Sequence, residues 1–418
     1  MIKRTTADYP LLMTALLLTA FGIATVYSAG QTDVPVSAVQ GAWLRQLQWL
    51  AIGLIAFFVT TRLSVRFLEW AAVPAYAMAI LLLLVTLAFG SGAGTAASMK
   101  GWLSVGGLRL QPSELAKLAV ALMLAKVLAS YRVKPKSLLD LVKPAVVVLV
   151  PWALVMAQPD LGTGLVFIGI FFAMLFWAGV SGTLLLFAAS PAISLVLAGS
   201  VGPWAAWFIL LLVVVWRYKP YVVEGVGLVL ANVMVGVAAP LIWYRLEPHQ
   251  QARLLTFLDP SSDPRASGYQ VLQSRIAIGS GGWTGKGFTE GSQKRLAFLP
   301  EQHTDFIWAV LGEELGFLGV SAALMLFLML FLRVIRVATR ASDTFSSLVA
   351  LGLAGSWFVH VIVNVGMTIN LMPITGIPLP FFSYGGSFLL ACWIAVGMLV
   401  RISAEGRGRA GDLPIVSR

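Results

Sequence analysis

Residues 298–334 read FLPEQHTDFIWAVLGEELGFLGVSAALMLFLMLFLRV. No charge occurs from Leu315 to Leu332, and an apolar run of about 20 residues is what a helix needs to cross the hydrocarbon core of a bilayer. Glu301, His303 and Asp305 precede the run, and Glu313 and Glu314 crowd its mouth. Ionised groups are costly near hydrocarbon, so those found there are expected to be used.

The rest of the chain repeats the apolar pattern. Of its 418 residues 59% are hydrophobic and 11% charged, with a mean hydropathy of +0.87, whereas a soluble domain carries about 25% charge. The fold class is an all-α polytopic membrane protein. Twelve spans are read, at about 10–29, 46–62, 69–90, 113–131, 142–157, 163–180, 183–199, 203–217, 221–243, 307–334, 346–369 and 386–402. The N-terminal run follows a basic start but is long enough to span, so it reads as an uncleaved first helix rather than a signal peptide.

Basic residues set the orientation. Arg62 and Arg66, then Arg132, Lys134 and Lys136, then Arg217 and Lys219, then Arg333, Arg336 and Arg340 fall on one side together with the tail 403–418. That side is cytoplasmic, with both termini, because short inner loops collect Lys and Arg. The net charge of +11 is thereby a topology signal and not a nucleic-acid surface. Cys392 is the sole cysteine, which excludes a disulfide framework and a thiolate metal site. The whole chain, 1–418, reads as one integral domain without an internal repeat.

The outer segments carry the polar chemistry. The loop 244–306 holds Arg245, Arg253, Arg265, Arg275, Lys286, Lys294 and Arg295, a cationic surface that invites an anionic partner. Asp305 admits two readings, a helix N-cap or a general base. Glu301 and His303 could tune it or help hold a divalent cation, although E-x-H-x-D matches no strong metal motif. Glu313 and Glu314 cannot face the same way, so one is expected to point to a cavity and the other to a neighbouring helix, and pairing with a basic group suits at least one. In 100–126, Pro112, Ser113 as cap and Glu114 favour helix initiation, while Lys117 falls one turn into the membrane and needs a partner or a cavity. Trp102 suits an interfacial anchor. Gln158 and Asp160 in QPDLGTG are turn formers by composition and cavity groups by position. The segment 370–387, NLMPITGIPLPFFSYGGS, offers Ser383, Tyr384 and Ser387; such backbone is tolerated at membrane depth only under a cover of protein or water.

QPSELAKL, QPDLGTG, GYQVLQSRIAIGSGGWTGKGF, FLPEQHTDFIWAVLGEELGFLG and NLMPITGIPLPFFSYGGS occur in order from about residue 100 to 390. Together they resemble the signatures of the SEDS (shape, elongation, division and sporulation) family, and IAIGSGGWTGKGF resembles its elongation branch more than its division branch. The resemblance implies a glycosyltransferase of the bacterial cytoplasmic (inner) membrane. It would polymerise lipid II on the outer face beside a class B penicillin-binding protein and other elongation machinery. It also implies that Asp305, the aspartate of H-T-D-F, is the essential acid and that Trp102 is functionally sensitive. This chain departs from relatives at Gly101, where they commonly have Arg, leaving Lys100 as the nearest cation, and at Ala297, where many have an acid. The family core of ten spans implies a two-helix insertion within 183–243.

Joining two lipid II molecules needs a base for the attacking sugar hydroxyl and positive charge for the leaving diphosphate. Asp305 is the expected base. The expected substrate contacts are Trp102, Glu114, Lys117, Gln158, Asp160, Arg275, Lys294, Arg295, Glu301, His303 and Ser383, with Arg275, Lys294 and Arg295 foremost for the diphosphate. A divalent cation, magnesium or manganese, is the cofactor such chemistry would admit. A groove open sideways to lipid, walled by 370–387, would hold the substrate's tail. Two rivals remain open at this point: a lipid-linked precursor transporter, and a scaffold that only positions a crosslinking enzyme.

Overall fold

The computed structural model describes residues 8–34, 36, 39–92, 99–106, 108–131, 133–246, 251, 255–257 and 267–410; Arg132, Arg253 and Arg265 lie outside them. Long helices occupy every apolar run read above: α1 (Tyr9–Ala29), α2 (Ala42–Arg62), α3 (Val65–Phe89), α4 (Pro112–Ala129), α5 (Val142–Ala157), α6 (Leu161–Trp177), α7 (Gly182–Leu197), α8 (Val201–Tyr218) and α9 (Val222–Arg245). The loop 244–306 then contributes α10 (Ser267–Gly281) and one helical turn at Ser292–Arg295, followed by α11 (Ile307–Thr339), α12 (Thr344–Thr368) and α13 (Gly386–Ala410). The stretch 244–306 is thus more than a plain linker. Its Gly-rich part is ordered by docking on α11, as shown below.

Nine stretches among the described residues are long and apolar enough to cross a membrane. The remaining three runs fall short for visible reasons: α6 and α7 have 17 and 16 residues, and α4 carries Glu114, Lys117 and Lys126. The chain is a multi-pass membrane protein. Asp8 and Ser403 lie 3.4 Å apart in a hydrogen bond, so the two ends of the described chain meet at one end of the bundle.

Burial separates the centre from the rim. The apolar windows of α13 and α12 are 83% and 72% buried, against 6% for α8. Helix α13 packs along α2, and α12 packs on α4, α6 and α11. Helices α7, α8 and α9 form a flange. Inside it Asn232 donates to Ser190 Oγ at 2.9 Å and accepts from Ser194 Oγ at 2.7 Å, which satisfies three buried polar groups and pins α9 to α7.

Helix α11 is broken at Gly316, whose φ of 59° and ψ of −157° suit only glycine. The loop 282–287 replaces the lost helical bonds. Lys286 N and Gly287 N each donate at 3.0 Å to the carbonyls of Glu313 and Glu314, and Phe317 N and Leu318 N donate to the carbonyls of Gly282 and Trp283 at 2.9 and 3.1 Å. The loop is thus spliced into the helix as a strap. Side chains lock it: Lys286 pairs with Glu313 at 2.7 Å, and Lys294 with Glu314 at 2.6 Å. The close approach demands glycine at 285, because a Cβ there would overlap the Glu314 carbonyl.

The expected outcome of Gly285→Ala is a loss of about 1–3 kcal/mol, from steric overlap added to a left-handed backbone. Gly282→Ala is the control, since its φ of 56° is similar but a Cβ there meets nothing within 4 Å. It should lose only the conformational part, about 1–2 kcal/mol at most. Thermal unfolding of the two variants in detergent checks the difference; equal losses would mean that the strap does not approach α11 as described.

Candidate functional site

Asp305 lies in the turn that feeds α11. Thr304 N, Asp305 N and Phe306 N all point to the Glu301 carbonyl, at 3.1, 3.1 and 3.3 Å, and Glu301 takes a φ of 50° to allow it. The cap position of α11 is Phe306 rather than Asp305. The Asp305 side chain is half-buried. Its carboxylate borders Gly376, an exposed glycine at φ 71°, where a Cβ would lie 3.3 Å from Oδ2.

The segment 374–385 holds this turn from several sides. Asn364 Nδ2 donates to the carbonyls of Asp305 (3.0 Å) and Ile377 (2.8 Å), tying the turn to the segment through α12. Ser383 Oγ accepts from Leu379 N at 2.8 Å and donates to the Thr304 carbonyl at 2.7 Å. Tyr384 N donates to the His303 carbonyl at 2.9 Å. Gln46 on α2 bridges the Ser383 carbonyl and Gly385 N at 3.0 and 3.1 Å. Residues 377–383, apart from half-buried Pro378, are buried, so this irregular backbone is covered by protein as its depth requires.

Beneath it lies a second polar cluster. Glu114 pairs with Lys117 at 2.7 Å, and Lys117 Nζ stands 2.9 Å from His360 Nε2. His360 Nδ1 is 2.8 Å from the Pro378 carbonyl. Pro112 opens α4 with Gln111 at the cap position and no capping side chain, so Ser113 is not the cap. Gln111 N instead donates to Ser387 Oγ at 3.2 Å, and Gln111 Nε2 reaches Asp160 at 3.4 Å.

The expected site residues divide accordingly. Glu301, His303, Asp305 and Ser383 come together, and Glu114, Lys117 and Asp160 lie below them around the same segment. Several are occupied with the protein itself. Asp160 caps α6 by accepting from Thr163 N at 3.0 Å, and Gln158 donates to the Leu83 carbonyl at 2.9 Å. Ser383 is buried with its hydroxyl engaged on both sides, which makes it a support of the turn rather than a substrate contact. Lys294 must be corrected in the same sense. It is fully buried, and its ammonium is surrounded by Glu314, Ser28 Oγ (2.6 Å) and the Ser28 carbonyl (2.7 Å), which leaves it no access to a diphosphate. Arg295 is exposed but paired with Asp33 and Glu290, at 3.1 and 3.2 Å. Arg275 is exposed on α10. Trp102 sits at the hairpin before α4, bridged to Ser91 and followed by the antiparallel strands Leu103–Val105 and Leu108–Leu110.

Arg45 was not foreseen. It is exposed near the N-terminal end of α2, donates to Tyr384 Oη at 3.2 Å and lies 5.8 Å from that ring's centre. His303 is 5.3 Å from the same ring. Burial, and then the Arg45 charge, push the His303 pKa down to about 4, so its ring is neutral at physiological pH. Nothing near Arg45 in sequence signals this; its neighbours come from the far end of the chain. His360 and Asn364 did carry a signal, as polar residues within an apolar run.

Among the described residues no three His, Cys, Asp or Glu side chains converge as metal ligands.

Two outcomes follow. Lys294→Met leaves Glu314 buried without its cation and should cost about 3–5 kcal/mol, whereas Lys294→Met with Glu314→Gln should recover most of it. Thermal unfolding of the single and double variants tests this. Separately, the unfolded chain takes up a proton at His303 from pH 6.5 downward while the folded chain resists until about 4. Stability from this group is therefore complete above 6.5 and falls by about 1.4 kcal/mol per pH unit below it. His303→Gln should remove that part of the slope in unfolding midpoints measured against pH.

With the geometry in view, the chain can be compared with known proteins. The family model described as cell cycle protein, covering FtsW, RodA and SpoVE, matches residues 9–219 and 183–408. The peptidoglycan glycosyltransferase RodA of Treponema pallidum is 36% identical over 428 residues, which cover 95% of this chain and 98% of that protein. Among solved structures, one of a peptidoglycan synthase complex coordinating polymerization and crosslinking aligns with a TM-score of 0.71 at 30% identity, over 96% of this chain and 98% of that one. The rod shape determining protein RodA of Thermus thermophilus aligns with a TM-score of 0.61 at 26% identity, over 95% and 97%.

Proposed function

Because the chain belongs to the SEDS family of FtsW, RodA and SpoVE and is a RodA-like peptidoglycan glycosyltransferase of cell elongation, we propose that it polymerises lipid II at the outer face of the bacterial cytoplasmic membrane with Asp305 as general base. One observation carries the assignment of the base. Asp305 is a half-buried carboxylate at the end of a membrane helix, and its main chain is fixed from α12 by Asn364.

The mechanism follows from what the residues can do. The Asp305 carboxylate takes the proton of the acceptor sugar hydroxyl as that oxygen bonds to the donor's anomeric carbon. The bond from that carbon to the diphosphate breaks, and the lipid diphosphate leaves with the electron pair. Partial burial keeps the base weakly solvated, and the anchored turn removes the need to reorganise it during reaction. Neutral His303 supplies no charge to this step. Arg45, exposed beside His303 and Tyr384, is the cation we assign to the leaving diphosphate in place of Lys294. Lys117 lies deeper and is held by Glu114 and His360. A magnesium or manganese ion would enter with the diphosphate and offset its charge as it leaves. We infer that a class B penicillin-binding protein crosslinks the product and that other elongation machinery joins the pair. Likeness to a synthase complex that couples polymerization with crosslinking supports this.

The test is polymer formation from purified lipid II by the chain with its crosslinking partner, transpeptidase blocked. Asp305→Ala and Asp305→Asn should each lose at least about 10²-fold in rate, the scale of a general base. Arg45→Gln should lose about 10²-fold, as removal of one electrostatic contact to developing charge does. Full activity in both Asp305 variants would place the base elsewhere.

A further inference from the structure

We propose that His360 is a positioning residue for the transfer reaction: it joins the Glu114–Lys117 pair on α4 to the Pro378 carbonyl and thereby holds the segment that seats Asp305. The proposal rests on the transferase reading above.

His360 is completely buried on α12, stacked on Phe388 with ring centres 4.6 Å apart. Its two partners fix its proton. A carbonyl only accepts, so the Pro378 contact at 2.8 Å requires hydrogen on Nδ1. Lysine's ammonium only donates, so Nε2, 2.9 Å from Lys117 Nζ, must be the acceptor. The ring is therefore a single neutral tautomer that acts as a rigid spacer between a cation and a carbonyl. Lys117 is itself held by Glu114 at 2.7 Å and lies 5.0 Å from the Phe388 ring centre. It cannot turn away without leaving a buried carboxylate unpaired.

What hangs on Pro378 gives this spacer its importance. A proline has no N–H, so its carbonyl is its one backbone polar group, and at this depth a free carbonyl is costly. Its two neighbours in sequence are the points where the segment grips the Asp305 turn. The Ile377 carbonyl shares Asn364 with the Asp305 carbonyl, and Leu379 N shares Ser383 with the Thr304 carbonyl. A shift at Pro378 moves both grips. Displacing a reacting group by about 1 Å can cost on the order of 10²-fold in rate without changing what binds. The effect belongs in kcat and not in substrate affinity.

Two substitutions separate the two bonds. In His360→Asn the side-chain N–H stands where Nδ1–H stood, keeping Pro378 and losing Lys117. In His360→Gln the longer amide reaches Lys117 and leaves Pro378 without a donor. With the full chain, its crosslinking partner and lipid II, His360→Asn should keep kcat within about threefold of native. His360→Gln should lower kcat at least about tenfold with KM unchanged. Equal losses in the two variants, a loss confined to Asn, or an effect confined to KM would each overturn the proposal. Amide hydrogen exchange over 374–383, measured on the same samples, gives an answer independent of turnover. Exchange should rise in His360→Gln and stay native-like in His360→Asn; the same exchange in both overturns the proposal. If native protein makes no polymer, the transferase reading fails while the exchange result still decides the coupling.

Discussion

Everything around the site depends on keeping a stretch of non-helical backbone at membrane depth. Segment 374–385 cannot satisfy its own N–H and C=O groups as a helix would, and hydrocarbon supplies no replacement. The fold supplies partners from every direction: Asn364 and His360 from α12, Gln46 from α2, and the Thr304 and His303 carbonyls from the Asp305 turn. Its supports are also what set the place of Asp305. Satisfying the segment and positioning the proposed base are one arrangement.

The outer loop solves a related problem. Breaking α11 at Gly316 would leave carbonyls and N–H groups unpaired at the membrane boundary. The strap 282–287 takes up four of them, and Lys286 and Lys294 neutralise Glu313 and Glu314 beside the break. The carboxylates that stood out in an uncharged chain thus fall into two groups. Glu313 and Glu314 are fasteners, whereas Asp305, a few residues earlier, stays half-accessible on a fixed turn.

How much of this could be read in the sequence depends on the range of each interaction. The helices were legible because a span is a local property of length and apolar content. Asp305 was legible because an acid at the edge of such a run is conspicuous. That Glu313 and Glu314 face different ways followed from helical spacing alone, but neither meets the cavity expected for one of them, since both are buried and paired with a lysine. Lys294 was misjudged because a cation in an outer loop looks the same whether it meets a ligand or a buried acid, and Ser28, its other partner, lies on α1. Ser113 failed as a cap for a local reason: the helix starts two residues earlier than its capping pattern suggests, with Pro112 already in the first turn. Arg45 was invisible because Tyr384 and His303 reach it only in the folded chain.

The order of the fasteners along the chain bears on how the protein is made. Ser28, Lys286 and Lys294 all precede Glu313 and Glu314, so both cations and the hydroxyl have already been synthesised when the two acids emerge. An acid at the centre of an inserting helix carries a penalty of about 2.5–3.5 kcal/mol on insertion scales. In α11 the pair sits near one end, with its counter-charges already waiting on that side. The helix can therefore enter the bilayer as a neutralised unit, and a chain with the strap transplanted after α11 would have to carry both charges in unaccompanied.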